Sequence, residues 1–289
     1  MKKAFLVGIN KYNGSPLNGC VNDCLLMYKG LTERFGFENN NVNIITDGEC
    51  TKKNIVCGLE QLVLDVKPGD TILFHYSGHG SQVVSNNWTN TKEADGRDEI
   101  LCPFDLDWND PLTDNDLNKI FKKVPAGVTT IIVLDCCHSG TGLRNFFHNK
   151  SKHLVVKDVL NRYLAPPISN LLSNPKISLD NNLQFVFPKF NKKDLQTKLS
   201  KFIVQTSEQG EAILISGCGE NQTSADAYIG DRYHGALTFT LFQILAANNY
   251  VISYRKLIKE VNKVLKEAGF EQVPQLECKK EYMDRNFLA

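Results

Sequence analysis

The chain has no surplus of either charge: 33 lysines and arginines stand against 32 aspartates and glutamates. Bulk electrostatics gives no reason to expect a nucleic acid or an acidic polymer as partner. No apolar stretch approaches the roughly 20 residues that a membrane span needs. At the start, Lys2-Lys3 precede Ala4-Phe5-Leu6-Val7, but the run breaks at Asn10-Lys11 without a small-residue cleavage site. It is too short for a signal peptide and reads as a first core strand. Paired C-x-x-C spacing is also missing. The nine cysteines are scattered, odd in number, and adjacent only at Cys136-Cys137. That argues against a disulfide framework and for a reducing, cytoplasmic compartment. Cys20, Cys24 and the Cys136/Cys137/His138 group make no tetrahedral zinc set. There is no internal repeat and no low-complexity tract.

What is present is a core-forming composition, 42% hydrophobic over 289 residues. Strand and helix candidates alternate. Ala4–Ile9, Val42–Thr46, Thr71–His75 and Thr130–Leu134 are apolar, β-branched runs. Val21–Arg34, Lys53–Asp65 and Asp114–Lys123 carry apolar residues at helical spacing. This rhythm predicts an α/β fold, a mostly parallel central sheet with helices on both faces. Ser81–Asp110 reads as a long polar loop. From about Thr141 to Gly210 the chain is rich in Asn, Lys, Ser and Pro, and reads as an extended connector packed partly on the core. Regularity returns with a strand at Ala212–Ser216, helices at Gly235–Ala247 and Ser253–Ala268, and a last strand at Pro274–Cys278.

Two of the buried runs end in chemistry. Thr130–Leu134 leads into Asp135-Cys136-Cys137-His138-Ser139-Gly140, and Thr71-Ile72-Leu73-Phe74 leads into His75-Tyr76-Ser77-Gly78-His79-Gly80. Strand ends of open α/β sheets face the crevice where ligands bind. If the two strands are parallel neighbours, a cysteine and a histidine meet at one edge, the minimum equipment for thiolate catalysis. Neighbours in an extended strand point to opposite faces, so Cys136 should pack away from Cys137. Gly78 and Gly80 leave the backbone around His79 free to turn sharply and approach a substrate.

These paired motifs resemble the signature of the metacaspases, relatives of the caspases. The likeness extends to Gly19-Cys20-Val21-Asn22-Asp23, to Asp98-Glu99-Ile100-Leu101-Cys102-Pro103-Phe104-Asp105, and to the segment from Gln222 through Asp226 to Gly235-Ala236-Leu237-Thr238. The resemblance implies a caspase-like sandwich over residues 1–289. Its large-subunit-like region would be 1–145, its connector 146–210 and its small-subunit-like region 211–289. It implies a cysteine endopeptidase acting on proteins or peptides with Arg or Lys before the cut bond. His79 would be the catalytic histidine and Cys137 the nucleophile, with Gly80 and Cys137 N–H groups as oxyanion donors. Cys20, Asp23, Ser77 and Asp135 match the positions lining the pocket for the residue before the cut, and acids there suit a guanidinium. Asp226, from a matching segment, is a further candidate for that pocket. Asp23 could also cap the helix it begins, with the pocket the favoured role. The first arginine is Arg34, inside a predicted helix, so the loops at the pocket mouth offer no arginine for binding an aspartate. Asp95, Asp98, Glu99 and Asp114 could hold the calcium that many metacaspases need, or form a solvated loop in which Asp114 caps the next helix. Asn115 and Arg144 stand where more acids are expected, so no cofactor is expected to be required. A monomer is expected, with self-cleavage, if any, in the connector at Lys150, Lys152, Lys157, Arg162 or the Lys189/Lys192/Lys193 group. The alternatives are a silent caspase-like scaffold, or a ligase or peptidase of other specificity on the same fold.

Overall fold

The computed structural model describes residues 1–84, 97–137, 156–167, 178–179, 185–186, 211–219 and 222–289. In chain order these give β1 (Lys2–Gly8), α1 (Cys20–Arg34), β2 (Val42–Thr46), α2 (Lys52–Val63), β3 (Thr71–Ser77), β4 (Gly80–Val84), β5 (Arg97–Leu101), β6 (Leu112–Thr113), α3 (Asp114–Phe121) and β7 (Thr129–Asp135). Then come β8 (Val156–Asn161), β9 (Ser178–Leu179), β10 (Phe185–Val186), β11 (Glu211–Ser216), β12 (Ala225–Ile229), β13 (Arg232–Gly235), α4 (Ala236–Ala247), α5 (Tyr254–Glu267) and β14 (Gln275–Cys278).

The central sheet has six strands in the order β14-β11-β7-β3-β1-β2, parallel except for β14. Its strands are apolar on both faces because both faces are covered. Ala4 and Leu6 of β1 and Ile131 and Val133 of β7 pack with α1, α4 and α5 on one face. Phe5 and Val7, with Ile132 and Leu134, pack with α2 and α3 on the other. In α5, Leu257, Ile258, Val261 and Leu265 recur on one face and are buried, and Ser253 caps the helix by accepting from the Lys256 N–H. The winding direction reverses at β1: β2 lies on one side of it and β3 on the other. Such a reversal opens a crevice at the carboxyl ends of the strands.

Three expectations need correction. Ser81–Asp110 is not all loop: β4, β5 and β6 form a small antiparallel sheet. Its buried Ile100 and Leu101 join the core beneath α3, while charged Asp98 and Glu99 disguise the strand in sequence. The β3 strand runs two residues past His75, so His75 lies inside the sheet. The connector is more than an extended segment packed partly on the core, since β8 pairs antiparallel with β12 in a three-stranded sheet completed by β13.

Candidate active site

Parallel pairing of β3 with β7 sets Ser77 beside Asp135. His79 and Cys137 follow by two residues each, so both leave the same edge of the sheet. Cys136 packs into the core while Cys137 turns to the residue 224 backbone. There the Ser224 N–H donates to Cys137 Sγ, and the single Sγ proton has two acceptors in reach, the Ser224 carbonyl at 3.5 Å and Asn161 Oδ1 at 3.7 Å.

Gly78 has no room for a side chain. A Cβ there would stand 2.5 Å from the Tyr12 hydroxyl and 2.8 Å from that of Tyr76. Tyr12 in turn accepts from the His79 N–H at 2.9 Å, which fixes the turn carrying the imidazole. His79 Nε2 lies 2.8 Å from the Ser15 carbonyl oxygen. A carbonyl only accepts, so Nε2 carries the proton and Nδ1 is left as the base of the neutral ring. Nδ1 is buried and has no hydrogen-bond partner among the described residues. Burial holds the His79 pKa below its usual value, only partly offset by the Ser15 and Arg162 backbone groups. His75 is a different case: it is fully buried between Cys24 Sγ, 3.8 Å away, and Thr238 Oγ1, 3.4 Å away.

The acids converge on an unexpected guest. Arg162, just after β8, is fully buried, and its guanidinium is held from four directions. Nη2 donates to Asp23 Oδ2 at 2.8 Å and to Asp226 Oδ1 at 2.9 Å. Nη1 donates to Ser77 Oγ at 2.8 Å and to the Asp135 carbonyl at 3.0 Å, and lies 3.3 Å from Asp135 Oδ1. Each carboxylate is itself anchored. Asp23 accepts from the Gly235 N–H and faces His234 Nδ1 at 3.1 Å. Asp226 accepts from the Asn18 and Gly19 N–H groups at the start of α1, and Asp135 from Thr238 and Ser224. Burial pushes the Asp23 carboxyl up, but Arg162 and His234 outweigh it and hold it below its usual value. Burial likewise works against the Arg162 charge, and Cys20 with the three acids holds it well above its ordinary range. Burial pushes the Cys20 thiol well up, although nearby Arg162 opposes this. Gly235 completes the wall, because a Cβ there would collide with Asp135 Oδ2 and the Arg162 guanidinium.

The backbone of Arg162 is held as well. Its N–H donates to the Ser224 carbonyl, and its carbonyl accepts from the Gly80 N–H, both at 3.1 Å. The structure therefore gathers Asp23, Ser77, Asp135, Asp226 and Cys20 around one cation, with Gly80 at the carbonyl and His79 against the same backbone. Two expectations change here. The pocket does contain an arginine, supplied by the connector rather than the mouth loops. Three carboxylates against one guanidinium leave an excess of negative charge around Arg162. Asp23 does not cap α1, whose first donors go to Asn10 and Asp226. Sequence reasoning missed Ser224, Asn161 and Ser15, which act through backbone or neutral groups.

On the far side of β5, Asp98 accepts from Asn115 Nδ2 at 3.4 Å. Thr113, not Asp114, caps α3, and Asp116 is drawn into that cap and to Lys119. Glu99 and Asp114 are buried. Asp95, His138 and Arg144 lie outside the described residues, as do Lys150, Lys152, Lys189, Lys192 and Lys193. Among the described residues no three His, Cys, Asp or Glu side chains gather to hold a metal. Nor, among them, is any helix long and apolar enough to cross a membrane.

The family model for the metacaspase peptidase C14 domain matches residues 2–145. Metacaspase-1 of Schizosaccharomyces pombe is 31% identical over 96% of this chain and 67% of its own length. Metacaspase-1 of Scheffersomyces stipitis is 32% identical over 96% of this chain and 70% of its own. Among solved structures, a Geobacter sulfurreducens protein superposes with a TM-score of 0.64 at 23% identity, covering 99% of this chain and 97% of that one. Caspase-1 from Spodoptera frugiperda does so with 0.54 at 11% identity, covering 95% and 85%. The fold is caspase-like α/β, and the chain belongs to the metacaspases, a family of cysteine-type peptidases that act on proteins.

Proposed function

We propose that this metacaspase is an endopeptidase cutting after arginine or lysine, with Cys137 as nucleophile and His79 as its proton partner. The observation that carries the reading is the pose of Arg162. Its guanidinium sits among three carboxylates, its carbonyl accepts from the Gly80 N–H, and its own N–H shares the Ser224 carbonyl with Cys137 Sγ. A substrate arginine in the same pose presents its carbonyl carbon to Sγ. The Cys137 proton passes to His79 Nδ1 as the S–C bond forms, and the carbonyl oxygen gains charge against the Gly80 and Cys137 N–H groups. The C–N bond then breaks, His79 returns its proton to the departing amine, and water hydrolyses the acyl-enzyme. His79, kept below its usual pKa, is neutral at neutral pH and ready to accept.

Arginine should outrun lysine. The pocket acceptors are spread over two nitrogens of a planar fork, which a single ammonium cannot reach together. Self-cleavage is assigned to the Arg162–Tyr163 bond, already in register with the pocket. Nothing in these steps needs a metal, and we read calcium as an enhancer rather than a requirement. No disulfide joins any of the nine cysteines, which supports a reducing, cytoplasmic setting; we read the active form as a monomer. The test is a fluorogenic panel with Arg, Lys, Asn or Asp before the reporter. Arg should exceed Asp by about 30-fold or more, since a desolvated ion pair is worth about 2–5 kcal/mol. Equal rates on Arg and Asp, or preference for Asn, would overturn the reading.

A further inference from the structure

The bond after Arg162 is held on both sides. Beyond it, the Leu164 N–H donates to the Gly80 carbonyl at 3.1 Å, and the Ser81 hydroxyl donates to the Leu164 carbonyl. Tyr163 forms a bridge with Gly80. Before it, Val156–Asn161 is a strand on β12. An amine released from Tyr163 would stay tied beside the acyl carbon, where rejoining competes with departure.

Between these ties sits Asn161. Its side-chain oxygen accepts from the Tyr163 N–H at 3.1 Å and from the Cys137 thiol at 3.7 Å. Those are the two atoms that must change partners for the bond to break. The Tyr163 nitrogen has to leave its planar amide and take a proton from His79, while Cys137 has to direct its proton to His79. The carboxamide oxygen holds the amide hydrogen and competes with the Ser224 carbonyl, 3.5 Å from Sγ, for the thiol hydrogen, an arrangement that suits the uncut amide.

We propose that Asn161 is a positioning residue that slows cleavage of the Arg162–Tyr163 bond, making this segment an internal, slowly cut occupant of its own active site. The proposal rests on the arginine-cleaving reading above. It implies that asparagine directly before the arginine marks a poor substrate, bound well and turned over slowly.

Two measurements test it. First, intact-mass time courses compare the full chain with its Asn161→Ala variant. The variant should be cut between Arg162 and Tyr163 about tenfold faster, the worth of one neutral hydrogen bond. An equal or slower rate in a variant of unchanged melting behaviour overturns the proposal. Second, the active enzyme is given the peptides acyl-Val-Leu-Asn-Arg-Tyr-Leu and acyl-Val-Leu-Ala-Arg-Tyr-Leu. The asparagine peptide should have a kcat lower by about tenfold with an equal or lower KM. Equal kcat values overturn the proposal even if Asn161→Ala fails to fold. A difference confined to KM overturns it too, because it marks a binding effect only. If neither peptide is cut, the arginine-cleaving reading fails and takes this inference with it. If both are cut alike, only the inference fails.

Discussion

Replacing Arg162 with alanine should switch on the uncut chain. In the closed arrangement the guanidinium makes two ion pairs under 3 Å and a third at 3.3 Å, all fully buried. Removing one partner of a buried charge pair costs about 3–5 kcal/mol. If β8 lifts away to admit a substrate, water reaches both the acids and the segment, and the cost falls on the arrangement with Arg162 in place alone. The closed-to-open equilibrium should therefore shift by roughly 150-fold to several thousand-fold. The observable gain stops where the open form becomes the whole population, so kcat/KM on a short acyl-Arg substrate should rise by about tenfold or more. The assay is initial rates on chains shown by mass to be uncut, with melting temperature as control. Arg162→Lys should fall between, since one ammonium cannot satisfy acceptors spread over both guanidinium nitrogens. A folded, uncut Arg162→Ala chain with unchanged or lower kcat/KM would refute the reasoning, because Arg162 would then be part of the machinery and not its occupant.

Three further outcomes follow from the same geometry. Cys137→Ala and His79→Ala should each remove nearly all peptidase activity, while Cys136→Ala, which only loosens packing, should keep most of it; an inactive Cys136→Ala alone would reverse the assignment. Burial pulls the His75 imidazole down to about 4, against about 6.5 in an unfolded chain. Between those values the unfolded chain takes up a proton that the folded one refuses. Stability present above about pH 6.5 is therefore lost as pH falls toward 4, by about 3 kcal/mol, and denaturant titrations of His75→Gln should show a shallower loss over that window. Substantial activity should persist in EGTA, with millimolar calcium raising it only severalfold; activity abolished by chelator and restored by calcium would mean that the acids around Asp98 and Asp114 complete a site.

The residues that punctuate buried strands were legible in the sequence. Thr71–Phe74 and Thr130–Leu134 are continuous apolar runs, and a run that ends in Gly-His-Gly or Asp-Cys-Cys places its chemistry at a sheet edge without further information. The small strands were not legible for the opposite reason. Leu112–Thr113 is too short to show a period, and Arg97–Leu101 hides Ile100 and Leu101 behind three charges. Val156–Asn161 is a mixed polar strand whose partner, Ala225–Ile229, lies more than 60 residues away. Such pairing is decided by tertiary context rather than local propensity. Arg162 illustrates the limit best. In sequence it is one of several basic residues in a polar connector, and a basic residue there reads as solvated. Only the fold brings Asp23, Asp135 and Asp226 to one point and turns that residue into the most enclosed cation of the described chain.

The central claim is that an acidic pocket delivers an arginine carbonyl to Cys137. Its most direct test is covalent labelling of the Arg162→Ala chain by a peptidyl-arginine halomethyl ketone and by its aspartate counterpart, followed by peptide mapping. The account expects a single adduct on Cys137 with the arginine reagent, blocked by prior incubation with an arginine peptide, and little labelling by the aspartate reagent. Adducts on Cys20, Cys136 or Cys218 in place of Cys137, or equal labelling by both reagents, would contradict it.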